Sequence, residues 1–284
     1  MMLVWVGRGD TGGLVEESAA SVSVFDHGFT VGDGLFETMK VVDGRVFLWP
    51  WHLERLHTSA NHLRIALPED DLLTSIVTGV ARQTAAELGG GARVRLTISA
   101  GLGPLGSARL QSAPTVVCAA SAMPVRAGDA RVHMSSWPRN ERSPLAGVKS
   151  TSYAENVLAL VEAQSCGAGE SIFLNTAGAL CEGTASNVFV VRAGEVSTPP
   201  VDAGLLPGVT RRFVLGLGDD AVPIRESHIT AQEFQTADEV FITSTFQDVR
   251  GVFAVDEREI AVGPVTRELQ RRFVSASATD GHWS

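Results

Sequence analysis

Lys149 lies in Gly147-Val148-Lys149-Ser150-Thr151-Ser152-Tyr153, in a chain with two lysines, Lys40 and Lys149, and twenty-one arginines. A guanidinium stays charged at working pH, whereas a lysine amine can lose its proton and attack a carbonyl. Lys40 has an ordinary place on a strand beside a turn. Lys149 has no such place, which makes it the first candidate for Schiff-base chemistry. Tyr153, the single tyrosine, and then Asn156 follow it at a helix start. Glu182 closes a strand and leads into Gly183-Thr184-Ala185-Ser186-Asn187-Val188-Phe189. Gly208-Val209-Thr210-Arg211 opens a helix after Pro207, so backbone N–H groups and a hydroxyl converge as an anion site requires. Thr243-Ser244-Thr245 places three hydroxyls at a strand end, and Arg55 projects from a helix. The inventory is an amine, a carboxylate and a phosphate-sized cup with a guanidinium.

Taken alone, each of these residues has a plainer use. A lone lysine before a helix is a solvated cation, Glu182 a strand-end charge, Thr210 a helix cap worth ~1 kcal/mol, and Tyr153 a packing residue. Phe36 and Trp137 are core or interface residues by the same standard. Arg93 and Arg95 share one strand face, either a solvent face or an anion clamp. The histidines form no metal-binding spacing, and Gly32-Asp33-Gly34 is a tight turn rather than a dinucleotide loop.

The elements that must position these residues are legible in outline. Leu35 to Val42 and Arg45 to Trp49 flank Asp43-Gly44, a hairpin signal. Helices are expected over about 50–64 and 68–88. Ala92 to Ser99 alternates as a half-buried strand, and Pro114 to Ser121 is a short apolar one. Ser152 with Glu155 reads as a capping box for a helix after Lys149. A meander follows, with strands near 170–175, 179–182, 187–192 and 195–198. A short helix from Val209, a capped helix from Thr230 with Glu233, a strand from Glu239 to Thr243 and a last helix from Pro264 complete the pattern. Strands mixed irregularly with helices give an α+β, two-domain protein. The expected division is residues 1–121, a linker over 122–130 containing Pro124, Gly128 and Asp129, and residues 131–284.

Composition removes several function classes. At 284 residues the chain can bury a sizeable core. A net charge of −9 disfavours nucleic acid and anionic membranes. No apolar run is long enough to span a bilayer, and residues 1–17 lack a signal-peptide pattern. Three scattered cysteines make neither a disulfide frame nor a zinc site, so a cytoplasmic location is expected.

Pyridoxal 5′-phosphate (PLP) needs this inventory: a lysine for its aldehyde, helix N–H groups, hydroxyls and arginine for its phosphate, and a carboxylate for its pyridine nitrogen. The chain resembles the class IV (fold type IV) PLP-dependent aminotransferases. The resemblance rests on Phe29-Thr30-Val31-Gly32-Asp33-Gly34-Leu35-Phe36-Glu37, His52-Leu53-Glu54-Arg55-Leu56, Lys149 with Tyr153, Glu182 to Phe189, Leu206 to Arg211, and Phe241 to Thr245. It implies a small N-terminal α/β domain, a larger C-terminal PLP-binding domain, and a homodimer with shared active sites. It implies that Lys149 carries PLP and shuttles a proton, that Glu182 pairs with the pyridine nitrogen, and that Tyr153 lies near the ring oxygen. Arg55, Val209, Thr210, Ser244 and Thr245 would hold the phosphate, with Ser186 and Asn187 lining the site. Phe36, Arg93, Arg95 and Trp137 are substrate-side candidates.

The family divides into branched-chain aminotransferases, D-amino-acid aminotransferases with R-amine relatives, and 4-amino-4-deoxychorismate lyases, which make 4-aminobenzoate and pyruvate. The D-amino-acid branch has a tyrosine where Phe36 stands and an arginine–histidine trap where Ala100 to Leu102 stands, and this chain lacks both. The branched-chain branch has Tyr-x-Arg where Arg93-Val94-Arg95 stands. The lyase branch has a basic residue at the position of Arg95. The Thr210 and Thr245 cup puts an aminotransferase on α-amino acids and 2-oxo acids first, with D-side or R-amine activity open through an arginine-based trap, and the lyase second. A non-catalytic PLP carrier is third, and the intact Lys149, Tyr153, Glu182 and Thr210 argue against it.

Overall fold

Period-two alternation decides the first sheet. β3 (Gly34–Val42) and β5 (Gly91–Ser99) pair antiparallel over their full length, so that Leu35, Met39 and Val41 share a face with Val94, Leu96 and Ile98. In this computed structural model, which describes residues 3–88, 91–123 and 128–284, all six of those side chains are buried. β1 (Leu3–Arg8), β2 (Thr11–Glu16), β4 (Arg45–Val46) and β6 (Thr115–Ala122) complete an antiparallel sheet in the order β2-β1-β6-β5-β3-β4. A short α1 (His27–Thr30) precedes β3, and α2 (Trp49–Leu63) and α3 (Asp70–Leu88) cover the apolar face through Leu56, Leu73, Val77 and Val80. Asp43 and Gly44 take φ of 50° and 76°, the left-handed pair that lets a two-residue turn follow the strand twist.

β4 is only two residues long, which leaves the first half of β3 unpaired on that side. Residues 149–151 fill the gap. Leu35 and Ser150 form an antiparallel bridge, Phe36 N–H donates to the Lys149 carbonyl at 3.0 Å, and Thr151 N–H donates to the Gly34 carbonyl at 2.9 Å.

The second sheet is larger and mixed. It is built from β7 (Ala130–Met134), β8 (Glu170–Leu174), β9 (Leu180–Gly183), β10 (Asn187–Arg192), β11 (Glu195–Thr198), β12 (Ile224–Glu226), β13 (Glu239–Ser244) and β14 (Asp248–Val255), with β15 (Arg258–Glu259) paired to β14. The order is β12-β11-β10-β13-β14-β7-β8-β9. Val188, Val190, Val240, Ile242 and Val252 make its main core with Phe234 and Ile229. α4 (Ala154–Ser165) packs on β8, while α5 (Val209–Leu215) and α7 (Pro264–Ser277) pack on β13. α6 (Ala231–Gln235) starts with the expected capping box, the Thr230 hydroxyl accepting from Glu233 N–H and the Glu233 carboxylate from Thr230 N–H.

The chain forms two compact units. One holds residues 1–124, 148–153 and 280–284, and the other holds 125–147 and 154–279. This differs from the expected partition: Lys149 and Tyr153 belong with the first sheet, because the 149–151 backbone completes that sheet's edge. The expected linker falls partly on residues 124–127, outside the described residues; strand pairing runs through Ala122 on one side and from Ala130 on the other. Strands β1, β2, β7, β12, β14 and β15 go unread in the sequence, because glycines and charges interrupt their alternation. Ser152 makes no capping box: its hydroxyl donates to the Gly32 carbonyl at 2.9 Å, and α4 begins two residues later.

Leu96 is fully buried on the central strand β5. Leu96→Ala is expected to cost ~2–5 kcal/mol, from lost burial plus the cavity left behind. Leu105→Ala, at a side chain 76 % exposed, changes stability by less than about 0.5 kcal/mol. Urea unfolding midpoints of the two variants check the contrast.

Candidate active site

In the first unit Lys149 is held by more than its backbone. Thr151 and Ser152 both donate their hydroxyls to the Gly32 carbonyl, at 2.8 and 2.9 Å, and Ser152 N–H donates to the Ser150 hydroxyl. Gly32 has φ of 67°, and Gly34 runs so close to Ile98 O and Thr151 that a Cβ there would sit 2.9 Å from backbone. The two glycines thus let the turn press against the lysine segment. The amine Nζ lies 4.4 Å from the centre of the buried Phe36 ring. The Arg95 guanidinium stacks on the same ring at 3.6 Å, and Tyr153 meets it edge-on at 5.5 Å. Phe36, Arg95, Tyr153 and Lys149 therefore form one group. Arg93 and Arg95 are exposed, and Arg95 Nε donates to the Thr97 hydroxyl at 3.2 Å.

One strand position on, Glu37 points to the opposite, buried face. Arg55 Nε and Nη2 donate to its two carboxylate oxygens at 2.8 and 2.7 Å. His52 Nδ1 lies 2.6 Å from Oε2. Burial alone would raise the Glu37 pKa; the Arg55 charge, with hydrogen bonds from Arg55 and His52, outweighs it and carries the group from 4.5 to about 2. His52 is pushed below 6.5 by burial first, with the Arg55 and Lys149 charges acting the same way against Glu37. Neutral His52 therefore donates Nδ1–H to an ionised Glu37.

In the second unit Glu182 and Asn187 hold one peptide between them. Leu206 N–H donates to Glu182 Oε2 at 2.9 Å, and Asn187 Nδ2 donates to the Leu206 carbonyl at 2.9 Å. This fixes the entry into α5, where Gly208 passes so near Asn187 that a Cβ would stand 2.0 Å from its Oδ1. Val209 and Thr210 are buried in the first turn of α5, whose N-cap has no side-chain hydrogen bond. Thr243, on β13, sits opposite Asn187 in the register of β10 with β13, and Ser244 and Thr245 follow it, half-buried. Arg139 Nε stands 3.5 Å from Glu182 Oε1 while the guanidinium stacks on Phe173 at 4.2 Å. Its Nη1 bonds Asn156, but Nε and Nη2 are buried without a hydrogen-bond partner. Ser186 is turned away: its hydroxyl donates to Glu170 at 2.8 Å. Glu170 also accepts from Ser171 N–H, Thr184 N–H and the Thr184 hydroxyl, so one buried carboxylate shapes the loop between Glu182 and Asn187. Trp137 is 49 % exposed rather than core.

Glu37, His52, Arg139 and Glu170 were missed as functional candidates. Two carried a signal: Glu37 falls in the apolar phase of β3 and Glu170 opens the strand that continues as the apolar Ile172-Phe173-Leu174, and a carboxylate in a buried phase demands partners. Arg139 carried none, since it meets Glu182 only through the fold.

Comparison with known proteins places this geometry in company. Residues 34–255 match the profile of the family described as "Amino-transferase class IV". A chain of Methanocaldococcus jannaschii named as a branched-chain-amino-acid aminotransferase is 35% identical, over 92% of this chain and 93% of its own. The aminodeoxychorismate lyase of Bacillus subtilis is 32% identical, over 87% and 85%, and the D-alanine aminotransferase of Staphylococcus haemolyticus 30%, over 92% and 94%. Among solved structures, a T.th. branched-chain amino acid aminotransferase with pyridoxamine 5′-phosphate superposes with a TM-score of 0.90 at 26% identity, covering 100% of this chain and 98% of that one. The two-domain mixed architecture is that of fold type IV.

The Glu37 and His52 shifts act in the same direction on stability. Glu37 binds its proton at lower pH folded than unfolded, so its contribution is complete above about 4.5 and is lost as pH falls toward about 2. His52 also binds its proton less readily when folded, so stability begins to fall below 6.5. The urea midpoint is therefore expected to decline in two stages on acidification. Glu37→Gln flattens the lower stage and His52→Gln the upper. A Glu37→Gln profile parallel to wild type below pH 4.5 would refute the assignment.

Proposed function

Because the chain belongs to the class IV aminotransferases, whose cofactor is PLP, we propose that it moves an amino group between an α-amino acid and a 2-oxo acid by way of Lys149. The observation that carries this reading is the fixing of Lys149: a backbone bonded on both sides to β3, two hydroxyls on Gly32, and an amine laid against Phe36. A solvated surface lysine needs none of this.

The residues present suit PLP. Glu182 is a carboxylate whose Oε2 accepts from Leu206 N–H, and Arg139 stands beside its Oε1 at 3.5 Å with buried donors at Nε and Nη2. When bound, PLP supplies an electrophilic carbon for an amine and a ring that accepts electrons from the substrate's α-carbon. Lys149 would hold the cofactor through its aldehyde carbon, and its free amine would move a proton at the substrate Cα. Glu182, beside Arg139, would keep the ring nitrogen protonated, and Tyr153 would stand near the ring oxygen. Arg55, Val209, Thr210, Ser244 and Thr245 would hold the phosphate, with Glu37 fixing the Arg55 fork, and Ser186 and Asn187 would line the cofactor's surroundings. Phe36 shields the amine from water. Trp137 is given no role.

We also read the protein as a homodimer. α4 exposes Val157, Leu158 and Val161, at 54 %, 57 % and 56 %, an apolar strip that a second copy would cover. Sedimentation at a single-chain mass would remove this reading.

The purified protein is expected to carry PLP with the absorption of a lysine-bound cofactor, and Lys149→Ala is expected to lose it. Amino acids of one hand should convert that absorption to the pyridoxamine form. A second reading, elimination of pyruvate from aminodeoxychorismate, is favoured by the adjacent Arg93 and Arg95. Formation of 4-aminobenzoate with no conversion by D- or L-amino acids would replace the first reading with the second.

A further inference from the structure

The Gly32-Asp33-Gly34 turn that presses on the Lys149 segment also carries a carboxylate. Its three backbone carbonyls are all taken: Gly32 O accepts from the Thr151 and Ser152 hydroxyls, Gly34 O from Thr151 N–H, and Asp33 O from Ala100 N–H at 2.9 Å. The Asp33 side chain is only 17 % exposed, and a carboxylate so placed demands partners. Arg109 supplies them. Its Nε and Nη2 take the two carboxylate oxygens as a fork, Nε at 2.6 Å. Its Nη1 donates to the Leu63 and Arg64 carbonyls at 2.7 and 3.3 Å. Those carbonyls end α2, where Arg64 takes φ of 54°. One guanidinium thus ties the turn beneath the lysine segment to the helix that carries His52 and Arg55.

Arg109 comes from the connection between β5 and β6, and the start of that connection is seated on α1. Gly101 O accepts from His27 N–H at 2.9 Å, and Gly103 N–H donates to Phe25 O at 3.1 Å. Gly103 lies so close to the buried His27 ring that a Cβ would stand 2.0 Å from Nε2. The ring itself places Nδ1 3.6 Å from Asp33 Oδ2 and Nε2 3.1 Å from the Pro104 carbonyl. An isolated surface ion pair contributes less than about 1 kcal/mol and orients little. Arg109 differs in geometry. Four hydrogen bonds to two separate pieces of chain fix its plane, and a lysine's point charge could not make both sets at once.

We propose that Arg109 is a positioning residue for Lys149: by locking the Gly32–Gly34 turn to the end of α2, it holds the lysine segment and the Arg55 helix at the spacing one cofactor requires. The effect on chemistry rests on Lys149 being the reacting amine, whereas the locking does not. Without Arg109, Asp33 keeps only the 3.6 Å contact with His27, and the turn is left to its backbone bonds.

Two measurements separate the locking from the chemistry. In the cofactor-free protein, amide exchange at Phe36 and Thr151, whose N–H groups bond across the lysine segment, reads the locking. Arg109→Gln should exchange about tenfold faster at both, with the amides of β13 as in wild type. In the PLP-loaded protein, the half-reaction with an amino acid reads the amine. Arg109→Gln should lower its maximal rate about tenfold and leave the half-saturating concentration within about twofold, the split expected of a misplaced group. Arg109→Lys should fall between, and it carries both readings if Arg109→Gln fails to fold. Adding Asp33→Asn to Arg109→Gln should cost little more, since either change breaks the same tie. Arg82→Gln, at an exposed position on α3, controls for the loss of one charge and should match wild type. Unchanged exchange, an unchanged maximal rate, an equal effect from Arg82→Gln, or fully additive losses in the double variant overturns the proposal. A lower urea midpoint as the sole change would do the same, leaving Arg109 a stabilising tie. Faster exchange in Arg109→Gln, with no half-reaction even in wild type, would keep the locking and remove the aminotransferase reading instead.

Discussion

Everything chemical in this chain depends on a short piece of β pairing. Residues 149–151 complete the edge of a sheet whose own edge strand, β4, is two residues long. Two backbone hydrogen bonds and two hydroxyls fix the backbone around the lysine, and the buried Phe36 ring gives its amine a surface to lie against. The same pairing sets which way Phe36 faces, since neighbouring strand positions alternate. Phe36 therefore meets the amine while Glu37 meets the helix that carries Arg55. A one-residue slip would exchange the two, turning the ring toward α2 and the carboxylate toward the lysine segment.

The second unit repeats the principle with side chains in place of backbone. Glu182 and Asn187 grip the two ends of the Leu206 peptide, so the position of α5 is tied to the carboxylate. Glu170, buried and bonded to Thr184 and Ser186, shapes the turn that joins Glu182 to Asn187. Buried carboxylates of this kind are costly unless every oxygen is served. Both Glu37 and Glu170 meet that condition through neighbours distant in sequence. This is why they look anomalous in an apolar strand and ordinary in the fold.

Much of the architecture was legible because it rests on local signals. The Asp43-Gly44 turn, the alternation in β5, the Thr230–Glu233 capping box and the proline opening α7 each report short-range chemistry. Lys149 and Glu182 stood out by residue type and motif. The rest was hidden by distance. Ser152 has the spacing of a cap, yet Gly32, 120 residues earlier, takes its hydroxyl. Arg139 sits among Ser135, Ser136, Trp137 and Pro138 with nothing to mark it, and acquires meaning only where β8 brings Phe173 beneath it and β9 brings Glu182 near. The first division between the units, after residue 124, falls within the expected linker, but no local feature says that six residues after Gly147 return to the first sheet.

One consequence of this packing is optical. Tyr153 is the only tyrosine in the chain, and it stands edge-on to the ring that also receives the Lys149 amine and the Arg95 guanidinium. In the cofactor-free protein any ultraviolet signal of tyrosine ionisation therefore originates at one known point, beside two cations, without labelling or mutagenesis. The molecule contains its own local electrometer, and whatever binds or leaves near Lys149 must register on it.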